Sequence, residues 1–267
     1  MNRDLAQRIA VYVEELVDAG RPEESEVTMR YFLVRTLGEF HVADGLPALV
    51  NAAEHDPERD VRREALSAIA VLAGAMQNLK PPQPIGSQEL NDALVRLADD
   101  QDDLIRSGTA FAIGIVAKVP DADPRLAEKL GELADDPNTD IRFNAALALA
   151  QLGNPAAPAA LAEMFDLDSI ASSLSGEKAI ENELNEQALA SRRAFKRDMI
   201  VSNALKATDQ LLATPALPAE AFTPLEAGLK AFLASSEKLQ ENERVSDKLV
   251  AEAERILKRV KARAAGE

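Results

Sequence analysis

One stretch of this chain occurs more than once, and that fact constrains the fold more than any composition figure. DPNTDIRFNAALALAQLG (136–153) returns as DPERDVRREALSAIAVLAG (56–74), as DQDDLIRSGTAFAIGIVAK (100–118) and, more faintly, as ESEVTMRYFLVRTLGEF (24–40). Inside each copy the register holds without gaps. One column reads Met29, Val61, Ile105, Ile141, and the next reads Arg30, Arg62, Arg106, Arg142. Further along come Leu33, Ala65, Thr109, Ala145, then Val34, Leu66, Ala110, Ala146, then Leu37, Ile69, Ile113, Leu149, and last Phe40, Leu72, Val116, Leu152. Spacings of three and four put these apolar columns on one face of a helix.

A second helical segment follows each first one: LPALVNAAEHD (46–56), NDALVRLADDQ (91–101), AEKLGELADDP (127–137) and PAALAEMFDLD (158–168). Each runs into an acidic turn, and measured on the arginine column the units start 32, 44 and 36 residues apart. The long interval contains AMQNLKPPQPIGSQ (75–88), whose prolines cannot continue a helix and so lengthen one loop. Ordering a backbone residue costs about 1–2 kcal/mol, whereas a fully buried Leu or Ile returns about 1.5–3 kcal/mol. A single pair of short helices therefore cannot stand alone, and stacking against the next pair is what completes its core. Asp60 and Asp140 are positioned to accept from free N–H groups in the first helical turn, where their charge suits the positive end of the dipole. The arginine that follows is placed to reach an acidic neighbour in the adjoining unit.

The pattern Asp-Pro-x-x-Asp-[Val/Ile]-Arg, followed by an Ala/Leu-rich helix, resembles the HEAT-repeat family and in particular its short bacterial, phycobilisome-lyase-type branch. The second and fourth copies keep it best. The third has Gln101 in place of Pro and Leu104 in place of Asp, and the first retains its arginine and apolar columns. The resemblance covers roughly residues 20–166. It implies an all-α fold, a right-handed α-α superhelix or solenoid. Residues 1–166 then form an array of about four helix pairs preceded by an N-terminal helix. Residues 167–267 form a helical C-terminal region of degenerate repeats or a cap.

Past Phe165 the register is lost. LDSIASSLSG (167–176) reads as a connector, and a long helical pattern spans Glu177 to about Ala213, with Ile180, Leu184, Ala188, Phe195, Met199 and Leu205 at its apolar positions. Prolines at 215, 218 and 224 mark loops, with a short helix expected from Pro224 to Ala234 and a last, partly polar one from Glu241 to Arg263.

Several chemistries are disfavoured. There is no cysteine, so disulfides, thiolate metal sites and a Cys nucleophile are unavailable. The formal charge is −15, and residues 1–165 carry 28 Asp/Glu against 15 Lys/Arg. Such a field repels a phosphate backbone, so no nucleic-acid partner is expected. The first twenty residues are charged throughout and read as an amphipathic helix, no stretch approaches the roughly 20 apolar residues of a membrane span, and a cytoplasmic location is the expectation. No GxxxxGK[ST], GxGxxG or GxSxG motif occurs. The two histidines, His41 and His55, fall in a turn and near a helix C-terminus, and neither is followed by Glu as in HEAT-like iron enzymes. The acidic run Asp99, Asp100, Asp102 and Asp103 coincides with a recurring turn, which solvated helix termini explain better than a Ca²⁺ site does. No cofactor is expected.

What remains is surface. In solenoids of this kind the second helices line the concave face, where Asn51, Arg96, Glu132 and Glu163 share one register and form a mixed-charge stripe suited to a protein partner. A basic cluster, SRRAFKR (191–197), adds Arg192, Arg193, Lys196 and Arg197, with the bland reading that these are solvated or paired within the chain. KRVKAR (258–263) is a basic helix C-terminus favoured by the dipole. The expected function is a non-enzymatic scaffold that binds a protein on the groove of its second helices. The alternative, implied by the lyase resemblance, is an accessory subunit of a lyase-like or cofactor-maturation enzyme.

Overall fold

The computed structural model describes residues 2–175, 186–214, 216–239 and 244–265. It divides into two compact units, residues 1–133 and 134–267. The first contains α1 (Asn2–Ala19), α2 (Glu24–Glu39), α3 (Leu46–His55), α4 (Arg59–Gln77), α5 (Gln88–Leu97), α6 (Asp103–Val116) and α7 (Pro124–Leu133). Helices α2, α4 and α6 pack side by side in one layer, and α1, α3, α5 and α7 in the other. These are the first and second helices of the repeat, in the order that the sequence spacing requires.

Burial follows the columns. Val61, Ile105, Val34, Leu66, Ala110, Leu37, Ile69 and Ile113 are all buried, and α1 contributes Ala6, Ala10, Val13, Leu16 and Val17. Small residues let helices approach closely. A Cβ on Gly38 of α2 would lie 2.9 Å from the Cα and the carbonyl oxygen of Ala68 on α4. The apolar column has one exception. Met29 is exposed, as is Phe32, on a helix that has one neighbour in its layer where α4 has two.

The second unit contains α8 (Thr139–Gln151), α9 (Ala157–Ala162), α10 (Leu167–Ser175), α11 (Glu186–Leu212), α12 (Thr223–Ser236) and α13 (Asp247–Ala264). Helix α11 packs beside α8, and α12 beside α9, while α13 lies against both α11 and α12. Ile141, Ala146 and Leu149 of α8 carry the repeat's buried columns into this unit. The stretch after Phe165 corrects the connector reading: residues 167–175 are helical, and Ile170 and Leu174 are buried. Serines do not prevent a helix when its apolar residues fall three and four apart and find a core. The expected start of the long helix at Glu177, with Ile180 and Leu184, lies outside the described residues, as do Glu241 to Glu243 of the expected final helix.

The acidic turns show how each repeat begins. The first Asp of each turn closes an Asx-type turn, accepting from the backbone N–H two residues on: Glu58 N to Asp56 Oδ1 at 2.9 Å, Asp102 N to Asp100 Oδ1 at 2.7 Å, and Asn138 N to Asp136 Oδ1 at 2.8 Å. Asp102 and Asn138 then act as N-caps. Asp60 and Asp140, expected to do this, lie two residues past the N-cap positions Glu58 and Asn138. They sit inside the first turns of α4 and α8, where their charge still faces the positive dipole end.

Candidate functional site

The arginine column is structural in its later copies. Arg62 Nη1 donates to the carbonyls of Asp56 and Pro57, Arg106 Nη1 to those of Asp100 and Gln101, and Arg142 Nη1 to those of Asp136 and Pro137. Each guanidinium thus ties its helix to the turn that precedes it, which is a local contact rather than the reach into the next unit expected from sequence. Arg142 also meets an acid on a later element, with Nη2 2.6 Å from Glu163 Oε1. That bond holds the Glu163 carboxyl below its ordinary pKa, helped by the Ser169 hydroxyl against a smaller opposing effect of burial.

Arg30 behaves differently. Its side chain is fully buried, with Nε 2.7 Å and Nη2 3.2 Å from the two oxygens of the equally buried Asp56, and Nη1 2.8 Å from the Arg21 carbonyl. The bidentate geometry satisfies both charges where water cannot.

Three of the four residues of the expected second-helix stripe come from neighbouring helices of one layer: Asn51 from α3, Arg96 from α5 and Glu132 from α7. Glu163 belongs to the other unit, in a 3₁₀ turn after α9, where Arg142 holds it. Within the first unit Arg96 and Glu132 of the stripe are part of a ladder of ion pairs. Arg96 reaches Glu54 of α3 at 2.8 Å, Arg125 of α7 reaches Asp92 of α5 at 2.8 Å, and Lys129 of α7 reaches Asp99 at 2.8 Å and Glu132 at 2.6 Å. Donating to the Asp99 and Glu132 carboxylates raises the Lys129 pKa. Exposed pairs of this kind contribute about 0–1 kcal/mol each, so the ladder orders the surface more than it stabilises the fold. Arg96 and Glu132 remain 60% and 63% exposed, open to a second contact on their outer sides.

The acidic run is used up in the same way. Asp100 and Asp102 accept from backbone N–H groups, Asp99 pairs with Lys129, and Asp103 pairs with Arg106. Among the described residues no group of three or more His, Asp or Glu side chains is arranged to hold a metal ion. His41 adopts a left-handed backbone conformation, φ 54°, at the turn after α2, and His55 ends α3.

The basic cluster lies on α11 and is partly spent inside its own unit. Arg197 Nη2 donates to Asp198 at 2.7 Å and to the Arg244 carbonyl at 3.3 Å. Protein packed around Asp140 pushes its carboxyl pKa up, and the Lys196 ammonium pulls it the other way. Arg192 is likewise engaged. Arg193 lines a mostly apolar cavity of about 280 Å³ with Leu167, Ile170, Leu174 and Ala194, and its buried Nε has no hydrogen-bond partner among the described residues. In the last helix Arg263 donates to the Leu217 carbonyl at 2.7 Å and stacks over Phe222, while Arg259 pairs with Asp209.

Sequence reading missed where the apolar surface would emerge. In the first unit the large exposed apolar side chains are Leu5, Val11 and Tyr12 of α1 and Met29, Phe32, Val71, Leu104 and Phe111 of the first-helix layer. Among the described residues of the second they are Phe195 and Met199, both read from the sequence as apolar positions of a long helix. A period shows which residues share a face; it does not show whether another element covers that face.

Paired helices stacked in layers, with the second to fourth repeats each opened by an Asp turn and an arginine latch, define an all-α repeat protein of the solenoid class. The family model described as HEAT repeats matches residues 13–114 and again 91–173. The chain belongs to the HEAT-repeat family. Among solved structures it is similar to the crystal structure of the archaeal HEAT-like repeats protein from Thermococcus onnurineus NA1. The two share 17% identity and a TM-score of 0.50, over 98% of this chain and 92% of that one. No curated protein matches it. Among the described residues no helix is long and apolar enough to cross a membrane.

Proposed function

We propose that the chain is a non-enzymatic scaffold that binds a protein partner on the second-helix layer of its first unit, with Asn51, Arg96 and Glu132 among the contacts. The observation that carries this reading is the ion-pair ladder across α3, α5 and α7. Its side chains are held in place by neighbours yet keep their outer sides exposed, so a partner meets a charged surface whose ordering cost has already been met. Glu163 and the α11 cluster of Arg192, Arg193, Lys196 and Arg197 belong to the second unit and serve there as further contacts.

The test is affinity capture on the immobilised chain from extracts of its source, followed by the Arg96→Glu, Glu132→Lys variant. Circular dichroism first establishes that the variant keeps its helix content. A single stoichiometric partner that the variant fails to retain supports the reading. Equal retention by a folded variant removes the second-helix layer as the binding surface.

A further inference from the structure

We propose that a groove between α11 and α13 binds the apolar face of an acidic amphipathic helix from a partner protein. This site lies wholly in the second unit and uses none of the ladder residues. Its floor and walls are Phe195, Met199, Ser202 and Leu205 of α11 and Leu249 of α13, enclosing about 580 Å³. Phe195 is 67% exposed and Met199 50%, and no other large apolar side chain described in this unit is exposed. They stand four residues apart and continue through Ser202 to Lys206, so they form one stripe along the helix. An aromatic ring beside a methionine offers a rigid anchor and an adaptable one.

The gap is preformed. Helices α11 and α13 are in contact, fastened near one end by Arg197 donating to the Arg244 carbonyl and near the other by Asp209 pairing with Arg255 and Arg259.

Charge selects the occupant. Four charged residues line the groove: Asp198, Glu252, Lys206 and Lys248. The two acids are already committed, Asp198 to Arg197 at 2.7 Å and Glu252 to Arg255 at 2.6 Å. The two lysines are exposed and make no hydrogen bond or ion pair among the described residues. On a chain of net charge −15 this is an apolar slot edged by two exposed ammonium groups, of which Lys248 also acts on Glu252 through its charge. A helix that presents Leu or Phe at i, i+3/i+4 and i+7, with Asp or Glu on its flanks, satisfies both features.

The experiment uses the full chain and two fluorescein-labelled, 16-residue amphipathic peptides with the same Leu/Phe face, one flanked by Glu and one by Lys, read by fluorescence anisotropy. The acidic peptide is expected to bind at least 10-fold more tightly than the basic one. Phe195→Ala with Met199→Ala is expected to weaken it at least 10-fold. Lys206→Glu with Lys248→Glu is expected to weaken it to a similar extent at low salt, and by less at 0.5 M salt. Thermal unfolding of each variant confirms that it is folded; all four side chains are exposed, so little change is expected there. The proposal is overturned if the two peptides bind alike, if neither binds, or if the folded variants bind as the parent does. It is also overturned if phosphatidylglycerol vesicles bind through these residues while the acidic peptide does not, since that would make the groove a membrane contact. Loss of acidic-peptide binding here leaves the Arg96/Glu132 test untouched, so the two surfaces fail separately.

Discussion

The first repeat and the three that follow it share an arginine at the same position, yet the side chains go to different places. In the later copies the arginine is half-buried and ties its helix to carbonyls five and six residues back. Arg30 turns inward and is enclosed with Asp56, the residue that also opens the second repeat's turn. The difference is one of neighbours. The turn before Arg30 is GRPEE and lacks the Asp-closed backbone turn that receives the other three, while the next turn brings Asp56 within reach. An alignment column is thus a statement about backbone position; what the side chain does there depends on what surrounds it.

Breaking the buried pair should produce the largest effect in the molecule. Arg30→Met leaves Asp56 charged and enclosed, with an expected loss of about 3–5 kcal/mol. Hydrogen exchange should show it as lost protection across α2, α3 and α4. Changing Asp56→Leu as well removes the stranded charge, so the double variant should recover part of that loss. An Arg30→Met protein as stable as the parent would mean that the pair is not enclosed as described.

Next in size is helix approach. Gly38→Ala forces a Cβ to within 2.9 Å of the Ala68 backbone, and Gly228→Ala does the same against the Ala162 carbonyl in the second unit. Each should cost about 1–3 kcal/mol in urea unfolding, because backbone cannot yield as a flexible side chain does. Gly131→Ala on α7 meets nothing within 4 Å and should instead stabilise by up to about 1 kcal/mol through helix propensity.

The surface latches come below these. Arg142→Ala loses both its carbonyl contacts and Glu163, whereas Arg62→Ala loses only carbonyl contacts. The expected costs are about 1–2 kcal/mol and about 1 kcal/mol or less.

The smallest effect is a pH dependence. Arg142 depresses the folded pKa of Glu163, so this pair's contribution is present above the ordinary carboxylate range and is lost as pH falls through the depressed value. The stability gap between parent and Arg142→Ala should therefore narrow on going from pH 7 to below about pH 4 in urea titrations. A gap that stays constant would show that Glu163 takes no part in the latch.

The helices of the repeat array were legible in the sequence because their cause is local: a period of three and four, prolines that stop it, and acidic turns that start it again. Val61, Ile105 and Ile141 were identified as core on that basis and are buried. The candidate stripe was legible as far as its helices were, so Asn51, Arg96 and Glu132 do share a layer. Their partners were legible only in part: Lys129 meets Glu132 three residues away on the same helix, but Glu54 meets Arg96 and Asp99 meets Lys129 only when two repeats stack.

The second unit shows the same boundary more sharply. Residues 167–175 carry serines and no repeat register, so the sequence alone does not separate a loop from a helix there; burial of Ile170 and Leu174 against neighbouring elements decides in favour of the helix. Phe195 and Met199 share the apolar pattern of the long helix, and the structure leaves both exposed. The sequence by itself determined that the chain is a stack of amphipathic helix pairs, because amphipathicity is written in neighbouring residues. Only the tertiary structure decided which charges are spent on one another and which apolar faces stay uncovered. Those outcomes depend on side chains as many as 50 residues apart, as at Asp209 and Arg259, meeting across helices.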